Sequence, residues 1–133
     1  MRKLFYLTTL ALLSAPAYAE TPKDFLAAFA SEAKQESPAY AGPSAERGQR
    51  FFKASHGQEW SCASCHTRNP GAAGKHAVTH KLIDPLAPSA NAARFTRQAK
   101  VEKWFKRNCN DVVGRACTAQ EKGDVLSYLL TIK

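Results

Sequence analysis

The chain of 133 residues contains one methionine, Met1. Everything beyond the first residue is therefore built without a thioether, which removes one of the soft metal ligands from consideration. Long apolar runs are equally scarce. The one present, Leu4 to Leu13, falls well short of the roughly 20 residues a bilayer span needs. No strand-helix-strand alternation can be traced, so a sheet-based domain is not expected. Nor is there a run of Lys and Arg with interleaved aromatics, which sets nucleic acid aside as a partner. Cysteine is limited to Cys62, Cys65, Cys109 and Cys117.

What is present begins with an address. Arg2 and Lys3 precede the short apolar run, and Ala17-Tyr18-Ala19 then gives a small-x-small cleavage site before Glu20. Residues 1–19 read as a cleaved signal peptide and 20–133 as one exported domain without membrane insertion, periplasmic in a Gram-negative cell. Removing Arg2 and Lys3 from the chain total leaves 17 basic against 11 acidic residues, a net of +6. A moderately basic surface suits an acidic partner, because such fields raise association rates. The plainer alternative is that this charge keeps the domain soluble.

The chemistry is concentrated in Cys62-Ala63-Ser64-Cys65-His66. Two thiols two residues apart, followed at once by a histidine, form the attachment pattern for covalent haem. Each thiol adds across one vinyl group, and the imidazole follows as proximal iron ligand. A zinc site would need Cys109 and Cys117 as further ligands, but their spacing of eight is too wide for a second knuckle, and His66 would be left unexplained. A thioredoxin-like dithiol would want the missing βαβ unit. The reading is one haem c held by Cys62, Cys65 and His66.

Helical periodicity supplies the rest of the domain. Thr21, Pro22 and Asp24 open a helix over about 22–35, with Phe25, Leu26 and Phe29 on one face. A second helix is expected from Ser44 to about Ala54, where Gly48 and Phe52 share a face. Thr67 to Pro88 reads as loop without a convincing strand. Thr96 is the expected N-cap of a third helix ending near Asn108, its apolar stripe made of Val101, Trp104, Phe105 and Cys109. Arg97, Lys100, Lys103 and Arg107 lie elsewhere around it, as a solvated face or, less simply, a docking patch. Thr118 and Glu121 form a capping box for a last helix over about 119–131, with Val125, Leu126, Tyr128, Leu129 and Leu130 on its apolar side. The fold class is all-α: about four helices around a covalent haem. A glycine-containing helix before the motif and an aliphatic-aromatic helix at the end resemble the class I cytochrome c arrangement, where two such helices cross near a glycine and an aromatic. Gly48, Phe52 and Tyr128 occupy suitable places.

Without methionine in the exported domain, the usual His/Met electron carrier is excluded. His56, His76 and His80 are the remaining imidazoles, and His76 or His80 on the long loop could serve a bis-histidine electron carrier. An ordinary surface histidine is the competing reading for each.

The stretch Lys81-Leu82-Ile83-Asp84-Pro85-Leu86-Ala87-Pro88-Ser89-Ala90, with Arg94-Phe95-Thr96, Val101-Glu102-Lys103-Trp104, Arg107-Asn108-Cys109-Asn110, Gly114-Arg115 and Cys117-Thr118, closely resembles the sphaeroides haem protein family. These are exported, high-spin monohaem c-type cytochromes. The resemblance spans about residues 44–131 and is loose over 20–43. It implies that Asn108, directly before the first of two disulfide-bonded cysteines, is the sixth ligand. It further implies that this ligand leaves on reduction, opening the site to small diatomics such as oxygen or nitric oxide. Taken alone, Asn108 would read as a helix C-terminal residue, since asparagine tolerates the left-handed conformation. Cys109 and Cys117, left over by the haem motif in an oxidising compartment, are expected to pair. Such a bridge would pin the residue beside Asn108. The resemblance points to a dihaem cytochrome c as electron donor, alongside a membrane cytochrome b. A haem oxidoreductase acting on oxygen or nitric oxide and a gas sensor or scavenger without turnover stay open beside the carrier.

Overall fold

The computed structural model describes residues 19–133. The expected signal peptide lies, apart from Ala19, outside the described residues. Among the described residues five helices and one minimal hairpin follow in the order α1 (Pro22–Glu36), α2 (Ala45–Lys53), α3 (Cys62–His66), β1 (Gly74–Lys75), β2 (Leu82–Ile83), α4 (Gln98–Val113) and α5 (Ala119–Leu129).

Helix α1 starts where polar side chains replace its missing backbone partners. The Thr21 hydroxyl accepts from the Asp24 N–H, and the Asp24 carboxylate accepts from the Thr21 N–H at 2.8 Å. Its inward face buries Phe25, Phe29 and Ala33. Helix α2 is capped by Ser44, whose hydroxyl accepts from the Arg47 N–H at 3.2 Å, and it buries Gly48 and Phe52. Helix α5 has the reciprocal Thr118–Glu121 box and buries seven of its eleven residues, Leu126 and Leu129 completely.

Helices α1 and α2 both pack on α5. The α2–α5 crossing is close enough that a Cβ built on Gly48 would stand 1.8 Å from the Asp124 carbonyl oxygen. Phe52 and Tyr128 meet beside it with ring centroids 5.6 Å apart. Phe105 from α4 sets its edge on Phe29 at 5.6 Å, and Phe95 bridges Phe25 and Phe105. The core is thus a single cluster joining α1, α2, α4 and α5.

Several expectations need correction. The loop after the haem motif contains a two-residue antiparallel ladder, Gly74 opposite Ile83 and Lys75 opposite Leu82, too short to show as alternation in sequence. Thr96 does not cap α4: its hydroxyl donates to the Ala93 carbonyl at 3.0 Å, and Arg97 takes the N-cap position without a side-chain bond. The cap comes from elsewhere in the chain, as the Glu20 carboxylate accepts from the Gln98 N–H at 2.7 Å. Helix α4 also runs past Asn108 to Val113, because Cys109 and Val112 are both buried, and Gly114 ends it in the left-handed conformation at φ 75°. Asn108 is therefore a helix-interior residue. Trp104 leaves the apolar stripe and is 40% exposed; Leu130 lies past the end of α5 and is 39% exposed.

Candidate haem-binding site

The attachment motif forms a single helical turn, which puts residues three apart on one side. The Ser64 hydroxyl accepts from the Ser61 N–H at 3.0 Å and closes the start of the turn. Thr67 ends it at φ 63°, a conformation unfavourable for a β-branched residue. Cys62 and Cys65 are both free and half-buried. The hairpin is seated directly on this turn. Gly74 is required there, since a Cβ would fall 2.0 Å from the Cys65 carbonyl oxygen. Two residues beyond Lys75, the Ala77 N–H donates to the Cys65 sulfur at 3.3 Å.

His66 packs its ring 6.4 Å from that of Phe52, so its imidazole leans on the α2–α5 crossing. Burial lowers its pKa to about 4, and the Arg94 charge pushes in the same direction. The imidazole is neutral at physiological pH, the form that ligates metals. Burial also raises the Cys62 thiol to about 11. Arg94 is held by two backbone acceptors, the Pro85 carbonyl at 2.9 Å and the Asp84 carbonyl at 2.7 Å. Its role near His66 had no local signature, because 28 residues separate the two in sequence.

The donor set fits haem c. Two free thiols on one turn and a neutral imidazole directly after them are what covalent attachment and proximal ligation use. The zinc alternative loses its further thiolates, since Cys109 and Cys117 are joined, with Cα atoms 5.6 Å apart. Among the described residues no group of three or more His, Cys, Asp or Glu side chains converges as a bare-metal site.

The disulfide ties the last turns of α4 to the segment just before α5. Asn108, beside it, is half-buried, and its amide takes no part in the side-chain hydrogen bonds of the described residues. The loop histidines are differently placed. His76 Nδ1 accepts from the Val78 and Thr79 N–H groups, both at 3.2 Å, and so stabilises its own turn. His80 is exposed on the hairpin at φ 57°. The His56 ring lies tilted against that of Phe51 at 4.2 Å, with Nε2 2.8 Å from the Phe51 carbonyl oxygen.

Asp124 carries no local signature of its role. It is 4% exposed within the apolar side of α5, accepts from the Ser44 N–H at 2.6 Å and takes two bonds from Arg47 at 2.8 and 2.9 Å. Only the packed helices bring Arg47 to it.

Comparison with known proteins agrees with this geometry. Residues 38–129 match a family described as a domain of unknown function, DUF1924. Cytochrome c'' of Methylophilus methylotrophus is 47% identical over 103 residues, covering 74% of this chain and 72% of that protein. Cytochrome c-type protein SHP of Cereibacter sphaeroides is 41% identical over 130 residues, covering 93% of this chain and 95% of that one. The crystal structure of oxidised cytochrome c'' superposes with a TM-score of 0.75 at 41% identity, covering 84% of this chain and 94% of that one. Oxidised SHP, described as an oxygen-binding cytochrome c, gives 0.75 at 40% identity, covering 86% and 99%. Fold, attachment motif and relatives agree: the chain belongs to the sphaeroides haem protein family, all-α class I-like cytochromes that carry covalent haem c.

Proposed function

We propose that this protein is an exported periplasmic cytochrome with a single haem c, high-spin, that exchanges electrons with a partner cytochrome and admits a small diatomic at a distal site guarded by Asn108. The observation that carries the reading is the position of Asn108. Among the described residues its amide takes no side-chain hydrogen bond, and the next residue is fixed by the Cys109–Cys117 bridge. A neutral amide oxygen is a hard, weak donor that favours ferric over ferrous iron. With haem c bound, Cys62, Cys65 and His66 would hold it in place, and Asn108 would supply a weak ligand whose preference for ferric iron would leave the reduced site open to oxygen or nitric oxide. When bound, haem c supplies the redox-active iron; the chain supplies one strong ligand and one weak one.

Two relatives support a labile ligand. SHP is described as oxygen-binding, and a solution structure of cytochrome c'' concerns haem-ligand detachment. The electron donor in this reading is a dihaem cytochrome c working with a membrane cytochrome b. Among the described residues no helix is long and apolar enough to cross a membrane.

The test is an optical spectrum of the ferric and ferrous holoprotein, with and without carbon monoxide or nitric oxide, for wild type and Asn108→Ala. A high-spin ferrous form that takes up the gas is expected, together with an altered ferric spectrum in the variant and unchanged haem attachment. A low-spin ferrous form indifferent to gas would instead favour a histidine-ligated electron carrier. An Asn108→Ala spectrum identical to wild type would remove Asn108 as the ligand.

A further inference from the structure

Helix α4 and the residue before it carry a dense run of exposed cations. Within Arg97 to Arg107 stand five cations, Arg97, Lys100, Lys103, Lys106 and Arg107, all exposed. The one acid in that stretch, Glu102, accepts from Lys122 at 2.9 Å and so is already matched by a cation of α5. Over the whole chain the ratio of basic to acidic residues is only 19 to 11, so positive charge is concentrated on this helix.

In the middle of these cations sits Trp104, 40% exposed. The Lys103 ammonium lies 5.8 Å and the Arg107 guanidinium 5.6 Å from its ring centroid. Arg97, Ala99, Lys100, Lys103 and Trp104 line an open cleft of about 400 Å³. Val101, Phe105, Cys109 and Val112 fill the inward side of α4, and Trp104 lies outside the apolar cluster. A rigid aromatic ringed by cations is the composition of an interface anchor: the ring desolvates at the centre while the charges steer from the rim.

The position on the helix says what kind of partner gains from docking here. Trp104 and Asn108 are four residues apart on one helix and share a side of it. A protein seated on Trp104 is one helical turn from the residue assigned to the distal ligand. We infer that the exposed side of α4 is the docking surface for an acidic electron-donor protein, with Trp104 as its anchor and Lys100 and Lys103 as its steering charges. This rests on the electron-exchange part of the proposed function and adds the surface and the charge of the partner. One electron passes per encounter: the donor is oxidised by one electron and the ferric haem becomes ferrous.

The experiment follows reduction of ferric holoprotein by two probes in stopped flow. One is fully reduced flavodoxin, an acidic flavoprotein that becomes its semiquinone. The other is the neutral semiquinone of free lumiflavin, which needs no docking surface. Three variants are compared with wild type: Lys100→Glu/Lys103→Glu, Trp104→Ala, and Lys75→Glu/Lys81→Glu on the hairpin, which makes the same change in net charge. All five positions are exposed, so the fold tolerates them. The flavodoxin rate is expected to fall about tenfold or more in Lys100→Glu/Lys103→Glu, with its salt dependence flattened. A similar fall is expected in Trp104→Ala with the salt dependence kept, and a much smaller one in the hairpin variant. Lumiflavin rates should stay unchanged throughout. Equal losses in the two double variants would overturn the surface in favour of net charge alone. Unchanged flavodoxin rates in the α4 variants, with their salt-sensitive binding to anionic phospholipid vesicles lost, would overturn it in favour of a lipid surface. A wild-type protein reduced by neither probe would overturn electron exchange itself, and this surface with it.

Discussion

Gly48 and Asp124 touch backbone to backbone: a single added methyl on Gly48 would penetrate to 1.8 Å from the Asp124 carbonyl oxygen. That contact sets how closely α2 and α5 cross, and His66 rests on Phe52 of the same crossing. Packing far from Cys62 and Cys65 therefore determines where the His66 imidazole stands.

Gly48→Ala is expected to destabilise the holoprotein by about 3 kcal/mol, at the upper end of overpacking costs, because the neighbour is backbone and cannot rotate away. Thermal unfolding followed by circular dichroism measures this. The reverse comparison, Gly57→Ala, meets no atom within 4 Å and carries only the strain of a positive φ at 77°. It should cost about 1 kcal/mol. Equal losses for the two would show that the crossing is not tight.

Asp124→Asn leaves the Arg47 guanidinium and the Ser44 N–H with a neutral partner in place of a carboxylate. Arg47 is 39% exposed, so water recovers part of the loss. A loss of about 2 kcal/mol in guanidinium chloride unfolding is expected, below the range for fully buried pairs. Asp124→Leu should cost more than Asp124→Asn, since it also strands the Ser44 N–H.

Acid titration should reveal the α5 cap. Burial alone would raise the Glu121 carboxyl, but its bonds to Arg115 and the Thr118 N–H outweigh this and hold it below the ordinary 4.5. A lowered folded-state pKa means that the stabilisation is fully present above the unfolded value and lost as pH falls through the folded one. Wild type should therefore exceed Glu121→Gln in stability by a constant margin above about pH 5, and the margin should shrink below about pH 4.5. Melting temperatures of both proteins between pH 3 and pH 7 decide it, and a margin that grows on acidification would contradict the assignment.

Selective reduction of Cys109–Cys117 should change the ferric optical spectrum, because the bridge pins the residue beside Asn108. The closed loop of about nine residues corresponds to roughly 2.5 kcal/mol of stability in the chain-entropy account, so reduction should also lower the unfolding midpoint. A lower midpoint with an unaltered spectrum would limit the bridge to stabilisation.

The attachment chemistry was legible because it is local. Cys62, Cys65 and His66 fall within five residues, and one turn of helix is enough to arrange them. The caps at Thr21 and Thr118 were legible for the same reason, since each bonds a residue three positions away. Thr96 failed as a cap because a distant carboxylate, Glu20, occupies the end of α4. The end of that helix was misplaced because burial of Cys109 and Val112, not local propensity, carries it on to Gly114.

By itself, then, the sequence determined the covalent cofactor chemistry, the absence of any methionine beyond Met1 and the count of long helices. All three depend on residues near one another in the chain or on composition. Tertiary structure alone decided the seating of Gly74 on the haem turn, the pairing of Arg47 with buried Asp124 and the exposure of Trp104. Each depends on which surfaces meet, and a chain contact spanning tens of residues leaves no periodic trace in the chain itself.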